Sequence, residues 1–245
     1  MTDTTLFISD LHLDASRPAI TALFLDFLRT EATQAQALYI LGDLFEAWIG
    51  DDDPAPEHQP VISALHELAA QGVALYFMHG NRDFLIGAEF AAQCGCTLLT
   101  DPTLIDLYGT PTLLMHGDTL CTDDSAYQQF RAMVRDPHWQ RDFLAKPLDI
   151  RRQIARAARA ESAAHTASAA YEIMDANHDA VLAALRAHHV NQLIHGHTHR
   201  PAVHDIEFDS TPAQCIVLGD WYEQGSVLRC DADGCRLDSL PLAMA

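Results

Sequence analysis

The sequence predicts an α/β fold carrying a helical insertion, and three observations predict it. Short apolar runs alternate with helical patterns through the first third of the chain. Strand signals vanish between 123 and 189, where Ala- and Arg-rich helical sequence takes over, and they return as hairpin-forming runs towards the end. Strands alternating with helices imply βαβ units around a covered sheet. A chain of 245 residues fits one large domain or one domain with an insertion, and 49% apolar residues supply its core.

The elements follow in order. "TLFIS" (5–9) reads as a buried strand, and Ile20, Leu23, Phe24, Phe27 and Leu28 recur at helical spacing over 18–33. "ALYIL" (37–41) is the next strand, a helix follows near 56–71, and "ALYFM" (74–78) is the third strand. Strands at 104–107 and 112–115 flank the turn "YGTP". The stretches 202–208, 214–218, 226–231 and 235–240 read as β-rich with hairpin turns. The core therefore comprises 1–122 and 190–245, with 123–189 as the insertion.

A net charge of −19 argues against a nucleic-acid partner, because phosphate contacts need Lys and Arg. Within 131–159, however, eight cations stand against three aspartates, which leaves −24 for the remainder. Two readings of that run stand: a solvated amphipathic helix pair, or a lid that meets an anionic ligand or membrane surface. The start "MTDTTLFISDLHLD" lacks the basic opening and long apolar run of an export signal. No window approaches the roughly 18 apolar residues of a membrane span, so a cytoplasmic chain is expected. Its six cysteines are expected to be reduced and structural. Cys230 and Cys235 flank the turn signal "DADG" and would face each other across a hairpin.

The chemistry gathers at strand ends. The first strand runs into "SDLH" (Asp10, His12), the second into "GDLFE" (Asp43, Glu46) and the third into "HGNRD" (Asn81, Arg82, Asp83). "LLMHGD" supplies His116, and "LIHGHTHRP" supplies His195, His197 and His199. Ligands of open α/β sheets bind beyond the carboxyl ends of strands, where these motifs would converge. Asp10, His12, Asp43, Asn81, His116, His197 and His199 make seven oxygen and nitrogen donors with no thiolate. That mixture suits Mn2+, Fe2+ or Zn2+. Seven donors exceed one tetrahedral ion and suffice for two if a carboxylate bridges them.

"SDLH", "GDLFE", "GNRD", "MHGD" and "GHTH", in this order, resemble the motifs of the calcineurin-like metallophosphoesterases. The resemblance implies a two-sheet sandwich flanked by helices. It implies that Asp10, His12, Asp43 and His199 hold one ion while Asp43, Asn81, His116 and His197 hold the other, with Asp43 as the bridge. His195 falls outside the family's Gly-His-x-His slot and reads as a strand-end residue.

Position 82 departs from much of the superfamily, where a histidine can protonate an alkoxide leaving group. Arg82 cannot give up its proton at ordinary pH and instead stabilises phosphate oxygens. A site without that acid suits a leaving group that departs as an anion, as in pyrophosphate cleavage. The competing reading is a structural swap in which Arg82 pairs with Asp83.

Longer strings, "GDLFEAWIGDDD", "GNRDFLIG", "MHGDTLCTDDSAYQQFR", "YEIMDAN" and "IHGHTHRPAVH", are similar to the UDP-2,3-diacylglucosamine diphosphatase family of lipid A biosynthesis. The likeness implies two Mn2+ ions per chain and hydrolysis of UDP-2,3-diacylglucosamine to UMP and 2,3-diacylglucosamine 1-phosphate, by water attacking the α-phosphorus. It implies Arg82 and His197 as catalytic residues, and substrate contacts at Asn81, Arg82, Asp124, Ser162, Thr166 and His197. It also implies peripheral contact with the anionic cytoplasmic face of the inner membrane. No oligomeric state follows. Where the family often has a lysine before "EIMD", this chain has Ala169, and Lys146 is its only lysine. Either an arginine such as Arg159 compensates or the contact is lost.

An acylated substrate needs an apolar cavity, and a helical lid could make one. Phe130, Met133, Val134, Trp139, Phe143, Leu144, Leu148 and Ile154 are candidate lining residues, with packing of the insertion onto the core as the competing reading. "GDDD" (50–53) reads as solvated or helix-capping rather than as a third metal site. Other functions compatible with the chain are a dinuclear phosphodiesterase acting on another nucleotide diphosphate or a cyclic nucleotide, a metal-free binding scaffold, and a membrane-associated structural protein. The filled donor set favours the enzyme.

Overall fold

The structure, a computed structural model, describes residues 3–53, 55–168, 175–208 and 211–242, with side chains at 163–168 and 208 left aside. The chain opens as β1 (Thr5–Ile8), α1 (Pro18–Thr30), β2 (Ala37–Ile40), α2 (Gln59–Ala70) and β3 (Ala74–Met78). It continues through α3 (Ala88–Cys94), β4 (Cys96–Leu99), β5 (Thr103–Leu107) and β6 (Thr110–Met115). Then come α4 (Ser125–Val134), α5 (Pro137–Leu144), α6 (Leu148–Ser168) and α7 (His178–His188). Strands β7 (Gln192–His195), β8 (Ala202–Phe208), β9 (Thr211–Val217), β10 (Gln224–Asp231) and β11 (Gly234–Pro241) finish it.

Two sheets result, ordered β11-β10-β1-β2-β3-β4 and β5-β6-β7-β9-β8. β1 to β4 run parallel through helical crossovers; β6 and β7 are parallel across the helical insertion, and β7 pairs parallel with β9, with β8 between them in sequence. The period-two alternation of side chains explains the layering. In β1, Leu6 and Ile8 pack outward on α1 and α2, while Phe7 points into the space between the sheets. In the second sheet, Leu113 and Leu193 face α7, whereas Leu114 and Ile194 meet Phe7, Leu41 and Met78 between the sheets. One face of each sheet is thus covered by helices and the other by its partner sheet. That is the sandwich the motifs implied.

The short α3 and β4 carry no sequence-local signal. The amides of Gly87, Glu89 and Phe90 at the start of α3 donate to the Asp51 carboxylate at 2.9–3.1 Å. The cap therefore comes from some 36 residues upstream, through the fold. Asp51 also accepts from Trp48 Nε1 at 3.0 Å, so this part of "GDDD" is the capping element expected.

Two expectations are corrected. The β10–β11 register sets Cys230 opposite Cys235, and the two form a disulfide, so not all six cysteines are thiols. The basic run is not a solvated face. Arg151 is buried and donates to Ile49 O at 2.7 Å and to both carboxylate oxygens of Asp52. Arg152 meets Asp53 at 2.5 Å, and Arg159 meets Glu46 at 2.9 Å. From α4, Arg131 donates to Asp118 at 2.7 Å and Arg135 to Gly80 O at 2.8 Å. Five of the eight cations therefore dock α4 and α6 onto the acidic core.

The proposed lining residues divide by burial. Val134 and Phe143 are buried, and Trp139, Leu148 and Ile154 pack against the core cluster that includes Phe143. Phe130, Met133 and Leu144 are exposed. Among the described residues, no helix is long and apolar enough to cross a membrane.

Candidate metal centre

All the predicted donors sit just past or at strand ends on one edge of the sandwich. Asp10 and His12 follow β1, Asp43 follows β2, Asn81 follows β3, His116 follows β6, and His197 and His199 follow β7. The loops interlock through their backbones: Asp10 N donates to Gly42 O (3.0 Å), His12 N to Asp43 O (2.9 Å) and Gly196 N to His116 O (2.8 Å). The glycines of these motifs are steric requirements. A Cβ at Gly80 would lie 2.0 Å from Asp43 Oδ1, and one at Gly196 would lie 2.4 Å from Asp10 Oδ2.

Five of the seven donor residues adopt left-handed backbone: Asp10 (φ 57°), His12 (47°), Asp43 (54°), His197 (68°) and His199 (56°). Such conformations cost about 1–3 kcal/mol each in a residue with a side chain, and they persist where surrounding structure holds them for a purpose. Here they turn each side chain inward to one point.

Two donor clusters result, Asp10–His12–His199 and Asp43–His116–His197. In the first, His12 Nε2 lies 3.2 Å from His199 Nε2 and 3.9 Å from Asp10 Oδ1, and His199 Nε2 lies 3.4 Å from Asp10 Oδ1. Asp43 Oδ2 stands 3.7 Å from His12 Nε2 and 3.9 Å from His116 Nε2, between the two clusters. Asn81 Oδ1 completes the second, 3.1 Å from His116 Nε2 and 2.9 Å from His197 Nδ1. The structure thus assembles all seven sequence-predicted donors with Asp43 central.

The donors fit divalent cations. Asp10 Oδ2 accepts from Ser9 Oγ (2.5 Å) and His197 N (2.8 Å), yet its Oδ1 is buried without a hydrogen-bond partner and faces the cluster. His116 Nδ1 is engaged with Leu41 O at 2.8 Å, which aims Nε2 at the centre. Electrostatics agree. Burial opposes charge on His116, but Asp43, Asp118 and Asp10 outweigh it and push the imidazole up to about 9. Burial likewise opposes charge on Asp10, whose carboxyl is nonetheless held well below the usual range by His199, His116 and His12. Burial and the neighbouring His116 pull His197 down to about 4. The carboxylates thus favour positive charge at His116, while His197 is held neutral with a nitrogen lone pair to offer.

Arg82 does not pair with Asp83, contrary to the structural-swap reading. Asp83 is buried and occupied by the amides of Gly80 (2.9 Å), Leu44 (2.7 Å) and Asp43 (3.3 Å), so it props the Asp43 loop from behind. Arg82 instead turns to the insertion and donates to Ser162 Oγ at 3.4 Å, while its Nε is buried without a partner. Asp124 is buried and caps α4, accepting from Tyr127 N at 2.9 Å. Thr166 lies in α6, but its side chain and residue Ala169 fall outside the described set. His195 is the buried last residue of β7, its Nδ1 2.9 Å from Gly196 O and the residue outside both clusters.

Sequence reasoning named Glu46 at its strand end without a role and missed Asp118 altogether. Glu46 Oε2 lies 3.1 Å from His12 Nδ1. Asp118 is buried and accepts from Tyr127 Oη (2.8 Å) and Arg131 Nε (2.7 Å), tying α4 beside His116. Both stand inside strand-end motifs, "GDLFE" and "MHGD", but their partners are distant in sequence and left no local sign.

The family model described as "Calcineurin-like phosphoesterase" matches residues 4–201, which span all seven donors. The chain belongs to this family. Among its curated relatives are proteins named UDP-2,3-diacylglucosamine hydrolase. The one from Xanthomonas campestris pv. campestris is 56% identical over 98% of this chain and 100% of its own length. That from Klebsiella pneumoniae is 56% identical over 97% of this chain and 99% of its own. Xanthomonas axonopodis pv. citri supplies another at 56%, over 98% of this chain and 100% of its own.

Proposed function

We propose that this chain hydrolyses the pyrophosphate bond of UDP-2,3-diacylglucosamine, water attacking the α-phosphorus to give UMP and 2,3-diacylglucosamine 1-phosphate. One observation carries the reading: seven donors converge on one edge of a chain that matches UDP-2,3-diacylglucosamine hydrolases along their length. Asp10, His12, Asp43 and His199 would hold one Mn2+, and Asp43, Asn81, His116 and His197 the other. Such a pair, when bound, supplies an activated water and neutralises charge on the phosphoryl oxygens.

The chain's own residues do the rest. Asn81, Arg82 and His197 orient the phosphates. The unpartnered Arg82 Nε gains an acceptor when a phosphate oxygen arrives, and its guanidinium stays charged throughout. The insertion, 123–189, serves as the lid, with Asp124, Ser162 and Thr166 as polar contacts. Exposed Phe130, Met133 and Leu144 offer apolar surface to the acyl chains at the cytoplasmic face of the inner membrane. Since Arg151 and Arg152 are committed to Asp52 and Asp53, that contact rests on apolar side chains more than on charge.

The test is hydrolysis of UDP-2,3-diacylglucosamine with Mn2+ in 18O-labelled water. Label in UMP, with turnover lost in Asp43→Ala, is the expected result. Label in the lipid phosphate would overturn the site of attack, and cleavage of other phosphodiesters alone would overturn the substrate.

A further inference from the structure

Glu46 stands where the metal centre meets the insertion. Its loop is fastened to the loop that carries His12. Leu13 N donates to Leu44 O (2.9 Å), Glu46 N donates to Leu13 O (3.1 Å), and Leu13 bridges Phe45 in parallel fashion. The Glu46 carboxylate thereby stands beside His12, with Oε2 3.1 Å from an Nδ1 that makes no hydrogen bond of its own. The imidazole is held from other sides too. The Tyr222 ring stacks on it at 5.6 Å and 10°, and its Nε2 faces Asp10, Asp43 and His199. A carboxylate on Nδ1 selects the tautomer whose Nε2 is free to ligate, and it raises that nitrogen's basicity.

The other oxygen, Oε1, takes Arg159 Nη2 of α6 at 2.9 Å. The root of α6 is anchored separately by Arg151 and Arg152 on Asp52 and Asp53. Arg159 lies eight residues farther on, about 12 Å along the helix at 1.5 Å per residue. Ser162 beside Arg82 is one turn beyond. Glu46 therefore grips the part of the insertion that overlies the site, and it does so with the same carboxylate that orients His12.

We propose that Glu46 is a positioning residue that couples occupancy of the Asp10–His12–His199 subsite to closure of α6. The inference rests on the metal-centred reading above. A cation held on His12 Nε2 would draw the nearby Oε2, 3.1 Å away, into a hydrogen bond with the otherwise unpartnered Nδ1, and so fix the carboxylate in the rotamer that Arg159 needs. By linkage, closure of α6 on Glu46 strengthens cation binding in return. The insertion thus closes best over a loaded site.

The test combines Mn2+ titration by calorimetry on the metal-stripped full chain with hydrogen exchange over 148–162, with and without Mn2+. In the wild type, Mn2+ binds and slows exchange across that stretch. In Glu46→Ala one Mn2+ class weakens about 10–100-fold, as expected for an outer-shell carboxylate, and the Mn2+-dependent protection disappears. In Arg159→Ala, a partly exposed position on α6, affinity falls by a smaller factor and protection is again lost. Unchanged Mn2+ affinity in Glu46→Ala, or protection that persists in both variants, overturns the coupling. Should Glu46→Ala not fold, Arg159→Ala decides by the same readouts. A wild type that takes up no Mn2+ would bring down the metal reading itself, and the coupling with it.

Discussion

The two regions that face each other across the site are held together by different forces. The sandwich edge that carries the donors rests on a dry apolar layer, with Phe7, Leu41, Met78, Leu114 and Ile194 fully buried between the sheets. That layer is stiff enough to keep five donor residues in left-handed backbone. The insertion opposite it adds ion pairs to its packing: beside buried Val134 and Phe143 stand Arg131 to Asp118, Arg151 to Asp52, Arg152 to Asp53 and Arg159 to Glu46. Apolar packing is short-ranged and little changed by NaCl, whereas the more exposed pairs, Arg152–Asp53 and Arg159–Glu46, are worth about 0–1 kcal/mol each and are screened. The two sides of the candidate site thus differ in what fastens them, apolar packing under the donors and packing joined by ion pairs in the insertion.

The strongest break of that contrast is on the rigid side. Asp43→Ala removes the residue between both clusters, and we expect loss of both metal equivalents and a drop in kcat of about 1,000-fold or more, about 4 kcal/mol of barrier. Asp10→Ala should spare the second ion. Metal analysis of the two purified variants, alongside turnover, checks both statements, and equal losses would refute the two-subsite arrangement. Next in size is the layer that supports the loops. Phe7→Ala should cost about 3–5 kcal/mol of stability, read by urea unfolding, and lower Mn2+ affinity without touching a ligand.

A third prediction concerns pH. Folding raises His116 from 6.5 to about 9 in the metal-free chain. The folded state therefore binds a proton that the unfolded chain sheds above 6.5. The resulting stabilisation is complete below pH 6.5 and is lost as pH rises through about 9. Mn2+ must displace the same proton, so its affinity should climb between those limits. Thermal melts of the stripped chain and Mn2+ titrations across pH 6–10 should move in opposite directions. Parallel trends would show that His116 does not carry the proton.

The smallest effect sharpens the comparison most directly. Raising NaCl from 0.05 to 0.5 M should speed hydrogen exchange in 148–162 while leaving β1 and β2 unchanged. Equal sensitivity of both regions would mean that the insertion is held by packing instead, through Val134, Phe143 and Trp139.

Much of this architecture is legible in the amino-acid sequence. The short apolar runs mark most of the strands because both faces of each are covered, one by helices and the other by the partner sheet, and that pattern is written locally. The donor residues are legible for a related reason, since each follows its strand within a few positions. What the sequence conceals acts across long separations. The cap of α3 belongs to Asp51, and Glu46 finds Arg159 more than a hundred residues on. The basic run resists reading for the same cause. Counting charges reveals a surplus but not which carboxylates lie beneath it, so Arg151 reads as surface and is core.

The sequence by itself determined the elements of the sandwich, the interruption by helices and the identity of seven donors, because apolar periodicity and ligand chemistry are properties of neighbouring residues. Only the tertiary structure decided that Asp83 props the Asp43 loop instead of pairing with Arg82, that Asp51 caps α3, and that Arg151 and Arg159 of the insertion meet Asp52 and Glu46. Each of these depends on where two remote segments meet. That meeting is set by the packing of whole layers, which no local pattern contains.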